Sequence, residues 1–186
     1  MPTSDDISPS LLLTLAFAAA LLLGLALKFW LATRQVRHVA RHRTAVPAPF
    51  AERIALAAHQ KAADYTITKA RLGMLEMALG AAVLLGWTLL GGLDALNQAL
   101  LGALGGGMWQ QMALLVAFAA ISGLIDLPLS LYQTFVVEER FGFNKMTWRL
   151  WVTDTLKSTA VGIVIGLPVA WLILWLMGAA GGTWWL

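Results

Sequence analysis

Long uncharged runs alternate with charged segments along this chain, and four of the runs are long enough to cross a membrane. The first run covers residues 7–27, and the last begins at Ser158. A helix needs about 20 apolar residues to cross a hydrocarbon core about 30 Å thick. The pattern therefore predicts an all-α integral membrane helical bundle, with about four transmembrane helices near residues 8–31, 72–93, 108–137 and 159–177.

Two polar segments, at 34–71 and 138–157, separate these runs. The stretch that begins at Ala51 has no helix breaker before Gly73, and its charged and apolar residues alternate loosely. This pattern is typical of an amphipathic helix at a membrane surface or against a partner. Glycine-rich stretches predict a loop at Gly102–Met108 and a turn at Gly178–Gly182, after which Thr183–Leu186 begins a further element.

The basic residues are distributed asymmetrically, which predicts the topology. Nine of the thirteen Lys and Arg residues lie from Lys28 to Arg71, and the other four lie from Arg140 to Lys157. Because basic loops stay in the cytoplasm, we expect the N-terminus outside, both polar segments inside, and helices 2 and 3 joined by a short outer loop. Asp5 and Asp6 before the first run do not fit a cleaved signal peptide.

Composition supports a membrane protein. The chain is 59% hydrophobic and only 12% charged, against about 25% charged in an average soluble domain. It has no cysteine, which excludes disulfides and cysteine-ligated zinc. The net charge of +3 is concentrated beside the membrane spans, so the expected partner is the lipid bilayer and not nucleic acid. The composition also resembles that of bacterial proteins, which suggests a bacterial inner membrane.

Two carboxylates fall within or beside the predicted spans. Asp126 lies two residues before Pro128, which weakens the helix by removing a backbone donor. An ionisable group in a span is a candidate functional group, so Asp126 either faces an internal cavity or bonds to a neighbouring helix. Glu76 has the same two interpretations, and Arg71 or Arg140 could pair with it.

His38 and His42 are four residues apart, the spacing by which a helix presents two zinc ligands on one face. A metalloprotease helix of this type needs glutamate after the first histidine, and that position is Val39. The arginines on either side would repel a dication. These histidines are therefore predicted to face anionic lipid.

The stretch LPLSLYQTFVVEERFGFNKMT resembles the N-terminal membrane domain of M48 metallopeptidases of the CAAX prenyl protease 1 type. A second segment, His59–Leu75, and the final GGTWWL are also similar to that family. The resemblance covers the chain from about residue 50 onward. The positions that match the family pattern are Leu127, Pro128, Tyr132, Phe135, Glu138, Gly142, Phe143, Asn144 and Thr147.

The resemblance implies an integral membrane zinc protease whose helices enclose a chamber. In that family a zinc-activated water hydrolyses the substrate, with the glutamate of a His-Glu-x-x-His helix as base, and eukaryotic members cleave prenylated CaaX proteins. This chain contains no His-Glu-x-x-His. We therefore expect neither catalytic nor metal-binding residues and no cofactor here, an inactive isolated chain, and a partner that is either a downstream catalytic half or a second copy.

The resemblance also suggests a role for the polar end of the motif. Glu138 and its neighbours would pair with the catalytic half, Gly142 would permit a turn, Phe143 would pack under the bundle, and Asn144 would cap the next helix. A self-contained turn between helices is the alternative. Two other functions remain open: a free-standing membrane scaffold, and a small transporter that uses Asp126 and Glu76 as a relay.

Overall fold

The computed structural model describes residues 8–181, and this range is helical, without a β-strand. The predicted all-α class is confirmed. Four helical segments are long and apolar enough to cross a membrane: Pro9–His42, Leu56–Thr88, Met108–Glu138 and Trp148–Ala180. The chain divides into two compact units, Met1–Leu90 and Gly91–Leu186. Ser4, Asp5, Asp6, Gly182 and Thr183–Leu186 lie outside the described residues.

Helix α1, Pro9–His42, opens the first unit. The Ser8 hydroxyl accepts a hydrogen bond from the Leu11 amide at 3.3 Å, and Pro9 occupies the first turn, where its missing donor is not needed. The helix runs past the predicted end at residue 31 because residues 32–42 contain neither Gly nor Pro. Its 34 residues measure about 50 Å, so it extends well beyond a hydrocarbon core.

Helix α2, Leu56–Thr88, packs against α1. It joins the helix-prone part of the polar segment to the span predicted at 72–93, since nothing between them breaks the helix. It ends before residue 93 because Gly91 has φ +79°, a left-handed conformation that favours glycine. A 3-10 turn at Ala48–Phe50 lies between the two helices.

Helix α3, Gly92–Leu104, begins the second unit and packs against α4. The hydrophobic pattern predicts only a short outer loop here, and this helix differs from that prediction. The loop itself is limited to Gly105–Gly107, so the predicted loop at Gly102–Met108 starts too early. Gln110 is 5% exposed, and its side-chain amide donates to Asn97 Oδ1 at 2.6 Å. This bond ties α3 to the start of α4.

Helix α4, Met108–Tyr132, continues directly into a π-helix, Gln133–Glu138. Helix α5, Trp148–Ala180, packs against α4 and is longer at both ends than the predicted span 159–177. Arg149, Asp154 and Lys157 lie in its first turns, so part of the polar segment 138–157 is helical. Gly178 is still helical, and the positive φ of +58° occurs at Gly181. The predicted turn therefore starts three residues later.

Candidate functional site

The candidate site is the connection between α4 and α5, where most of the motif lies. Pro128 sits inside α4, and a six-residue π-helix follows at Gln133–Glu138. A π-helix is a rare, widened turn, and such turns are frequent at functional sites. Phe135 and Glu138 both belong to this widened turn. The hydrophobic pattern predicted a helix here but gave no sign of its wider turns.

Backbone hydrogen bonds fix the sharp turn after the π-helix. The Glu138 carbonyl accepts from the amides of Phe143 at 2.9 Å and Asn144 at 3.2 Å. The Gly142 amide donates to the Glu139 carbonyl at 2.9 Å, and Gly142 has φ +73°. A side chain at this φ would clash with the backbone. The predicted role of Gly142 as a turn residue therefore has a direct geometric basis.

Asn144 holds the turn from its side chain. Its Oδ1 accepts from the Met146 amide at 2.7 Å, and its Nδ2 donates to Glu139 Oε2 at 2.9 Å and to the Met146 carbonyl at 3.2 Å. The cap of α5 is Thr147, whose hydroxyl accepts from the Leu150 amide at 3.2 Å. The predicted capping by Asn144 is wrong, because Asn144 lies three residues too early and closes a local turn instead.

Aromatic side chains pack across the connection. The Phe135 ring stacks on Trp148 with centroids 4.0 Å apart and planes 7° apart, and Trp148 meets Trp151 edge-on at 6.3 Å. Val137 and Phe141 are 2% and 7% exposed. Phe143 is 53% exposed, so it is not buried under the helices as expected. The backbone reversal at Gly142 places Phe141, and not Phe143, in the interior.

The structure brings together the motif residues from Phe135 to Thr147. Leu127, Pro128 and Tyr132 lie farther up α4, and Tyr132 is 50% exposed. Asp126 is on the same helix and is exposed. The connection thus combines a hydrogen-bonded turn, stacked rings and an exposed surface on α4.

Glu76 lies on α2 and is exposed. Arg71 is five residues earlier, and residues at that spacing do not share a helix face. Within residues 8–181 these two side chains form no ion pair. The ion pair at this end of the first unit joins α1 to α2 instead: Arg43 Nε and Nη2 each lie 2.8 Å from an Asp64 carboxylate oxygen.

All three histidines meet where α1 and α2 join. His42 Nδ1 donates to the His38 carbonyl at 2.8 Å, and His59 Nε2 donates to the His42 carbonyl at 2.9 Å. The His38 and His42 rings are 4.3 Å apart. These bonds hold the end of α1, and no group of three His, Cys, Asp or Glu side chains in the described range is placed to hold a metal ion. These residues do not fit a zinc site.

Three residues outside the motif pattern complete the connection. Trp148 stacks on Phe135, Glu139 receives the Asn144 amide, and Phe141 supplies the buried ring. The sequence could have indicated a role for Trp148 in the connection, since this residue directly follows the motif residue Thr147. The burial of Phe141 depends on the left-handed turn at Gly142, which the sequence allows but does not require. We call this hydrogen-bonded connection, residues 133–147, the joint.

A family model and a human protein are similar to this chain over most of its length. A family model described as CAAX prenyl protease N-terminal, five membrane helices, matches residues 35–186. The CAAX prenyl protease 1 homolog of Homo sapiens is 30% identical over 179 residues, 89% of this chain and 37% of the human protein. CAAX prenyl protease 1 of Saccharomyces cerevisiae is 48% identical over 65 residues, 35% of this chain and 14% of the yeast protein.

A solved structure has a similar fold. The crystal structure of S. mikatae Ste24p matches with a TM-score of 0.78 and 27% sequence identity. The match covers 89% of this chain and 39% of that protein. In each of these comparisons the chain spans well under half the length of its relative.

Proposed function

Because this chain belongs to the family of CAAX prenyl protease N-terminal membrane domains, we propose that it forms the non-catalytic membrane wall of a zinc metalloendopeptidase. The observation that carries the proposal is the match to the human CAAX prenyl protease 1 homolog over 89% of this chain. The substrate class follows from that relative's name: a prenylated protein ending in a CAAX sequence.

The zinc ligands, in this proposal, lie in sequence other than these 186 residues. The matched part of the human relative is 37% of its length, which leaves most of that protein to supply the catalytic residues. The bound zinc would activate the water that hydrolyses the peptide. In this proposal the residues of this chain form the membrane helices and the joint between α4 and α5. None of them transfers a proton in the reaction.

The joint is the proposed docking surface for the catalytic part. Phe143 is 53% exposed. Arg140 is also exposed, and its guanidinium lies 5.9 Å from the centroid of the Phe141 ring. Aromatic residues and arginine are enriched in protein interfaces. We assign docking to Phe143, an exposed ring of the joint, and to the half-buried side chain of Glu138. Self-association is the alternative use of this surface.

The chain is an integral membrane protein, and we propose that its basic segments lie in the cytoplasm with the N-terminus on the other side. The distribution of Lys and Arg supports this orientation. The yeast and human relatives are eukaryotic, so they lend no support to the bacterial inner membrane suggested by composition.

Co-expression tests the proposal. The full chain is produced with the part of the yeast CAAX prenyl protease 1 that follows the matched region, and hydrolysis of a farnesylated CAAX peptide is measured. We expect activity with both parts together and none with either alone. Hydrolysis by this chain alone would refute the non-catalytic role. Parts that bind each other without activity would favour a scaffold.

Docking is tested in the same system with Glu138→Ala, Phe143→Ala. We expect the amount of catalytic part that co-purifies to fall at least 10-fold, since an anchor residue contributes about 2 kcal/mol or more. The matched control is Leu156→Ala, which removes a side chain of 65% exposure on α5 outside the joint. Equal loss in the control would refute docking at the joint.

A further inference from the structure

One side of the C-terminal half of α1 carries a concentrated positive charge. A groove of about 380 Å³ runs along it, lined by Trp30, Arg34, Arg37, His38 and Arg41. Spacings of three and four residues place side chains on the same helix face. We call these five residues the basic groove. It has no part in the proposed docking surface at the joint.

The basic groove begins where the apolar part of α1 ends. Residues 7–27 are uncharged, and Trp30 is 51% exposed just beyond them. At 1.5 Å per residue, Arg34 lies about 6 Å and Arg37 about 10 Å beyond Trp30 along the helix. The polar headgroup layer is about 5–8 Å deep on each side of a bilayer. A Trp near the hydrocarbon edge therefore puts Arg34 at headgroup depth. Arg37 begins just outside this layer, and its side chain can reach back into it because helix side chains lean toward the N-terminus.

Two guanidinium groups are held in place with donors to spare. Arg34 Cζ lies 4.9 Å from the centroid of the Trp30 ring, a cation–π contact. Arg37 Nε lies 3.5 Å from the Thr33 carbonyl. Neither Nη group of Arg37 has a protein acceptor within residues 8–181. A guanidinium fixed in this way retains a fork of N–H donors that fits a phosphate.

Acidic side chains do not neutralise this face. No Asp or Glu occurs between Asp6 and Glu52 in the sequence. Arg43, at the end of the same helix, pairs with Asp64. Arg34, Arg37 and Arg41 form no ion pair with any carboxylate of the described range. The positive charge is therefore available to an anion from outside the chain.

We propose that the basic groove binds the phosphate headgroup of an anionic phospholipid. Arginine donates to phosphate oxygens through two parallel N–H bonds, and basic residues next to a span are attracted to anionic lipid. The depth of the groove favours lipid over a soluble acidic protein, because a bound phosphate would lie level with the headgroups. Trp30 would contact the glycerol and upper acyl carbons of the same lipid.

The full chain in detergent micelles is titrated with phosphatidylglycerol, and bound lipid is counted by native mass spectrometry. Replacing Arg34, Arg37 and Arg41 together by Gln is expected to weaken binding roughly 100-fold. The control replaces Arg53, Arg71 and Arg149 by Gln. All three are exposed, and the loss of charge is the same. We expect the control to change binding less than threefold.

Two further measurements separate fold and ligand. Arg34→Lys keeps the charge but loses the planar fork, so binding is expected to weaken several-fold while the melting temperature is unchanged. If the triple variant unfolds, this single variant decides the outcome. Phosphatidylcholine has the same phosphate without net charge and is expected to bind weakly.

Several results would overturn the proposal. One is unchanged phosphatidylglycerol binding in the Arg34→Lys and triple variants. The others are an equal loss of this binding in the control variant, and phosphatidylcholine binding as tight as that of phosphatidylglycerol. Displacement of the lipid by millimolar inorganic phosphate would identify a site for a free anion instead. Displacement by polyglutamate at the same concentration as the lipid would identify a site for an acidic protein.

Discussion

Single residues determine the joint between α4 and α5. Gly142 supplies a positive φ that other residues adopt only with strain. Asn144 links the turn to Glu139 and Met146 through one side chain. Thr147 then starts α5. These three motif residues therefore form the turn and start the helix that follows it.

The bond between Asn144 and Glu139 yields a test at this scale. Asn144→Asp keeps the acceptor for the Met146 amide but replaces the donor to Glu139 with a second negative charge. We expect the free energy of unfolding to fall by about 1–3 kcal/mol. Unfolding in mixed micelles, followed by the helical circular dichroism signal, measures this change.

Glu139→Gln in the Asn144→Asp background removes the repulsion and should restore most of the lost stability. The single variant Glu139→Gln completes a double-mutant cycle. A coupling free energy near zero would contradict the importance of this hydrogen bond.

At the scale of helices, the sequence predicted the apolar spans better than their ends. Hydrophobic runs mark where a helix meets lipid, but helix ends depend on local breakers. Residues 32–42 are polar and still helical, because neither Gly nor Pro interrupts α1. Helix α3 is not predicted by this pattern, because its 13 residues are too few to span a membrane.

For the candidate site, too, the sequence predicted the position but not the packing. The motif residues in the sequence located the joint and indicated that Gly142 makes a turn. The stacking of Phe135 on Trp148 and the π-helix before it depend on tertiary packing, for which the hydrophobic pattern has no signal. The contact between His59 and the end of α1 joins residues 17 positions apart. It appears only once α1 and α2 pack together.

The ion pair between Arg43 and Asp64 links α1 to α2 and gives a test at this scale. The two side chains are 45% and 43% exposed, so solvent screens the pair. We expect Asp64→Asn to lower the free energy of unfolding by about 0.2–1 kcal/mol at low salt. The difference should shrink in 1 M NaCl, where screening is stronger.

Asp154→Asn is the matched control for this pair, because Asp154 is exposed on α5. Asp154→Asn should lower the free energy of unfolding by less than Asp64→Asn does. This smaller effect should not shrink in 1 M NaCl as the effect of Asp64→Asn does. A loss of stability in Asp64→Asn that persists in 1 M NaCl would show that packing, and not charge, is responsible.

At the scale of the whole molecule, the four candidate spans leave most of their surface uncovered. The share of buried residues in their most apolar windows is 0% for three helices and 6% for α2. A helix in a soluble protein would bury one face. The uncovered apolar surface fits contact with lipid and, in the proposed enzyme, with further protein.

The orientation of the spans can be measured directly, because the chain has no cysteine of its own. Single variants Gln98→Cys on α3 and Arg53→Cys before α2 are labelled in intact cells with a membrane-impermeant maleimide. We expect Gln98→Cys to react and Arg53→Cys to react only after lysis. The reverse pattern would contradict the proposed topology.

The π-helix at Gln133–Glu138 also affects how this segment can change during evolution. A widened turn accommodates one more residue than an α-helical turn, and each residue of an α-helix adds about 100° of rotation. Loss of a single codon here would restore an ordinary turn and leave Gly142 and Asn144 in nearly the same direction relative to α4, whereas the same loss in an α-helical part of the segment would rotate them by about 100°. A one-residue gap at this point in a homologue is therefore compatible with the same orientation of the joint, whereas a one-residue gap earlier in α4 would signal a different one.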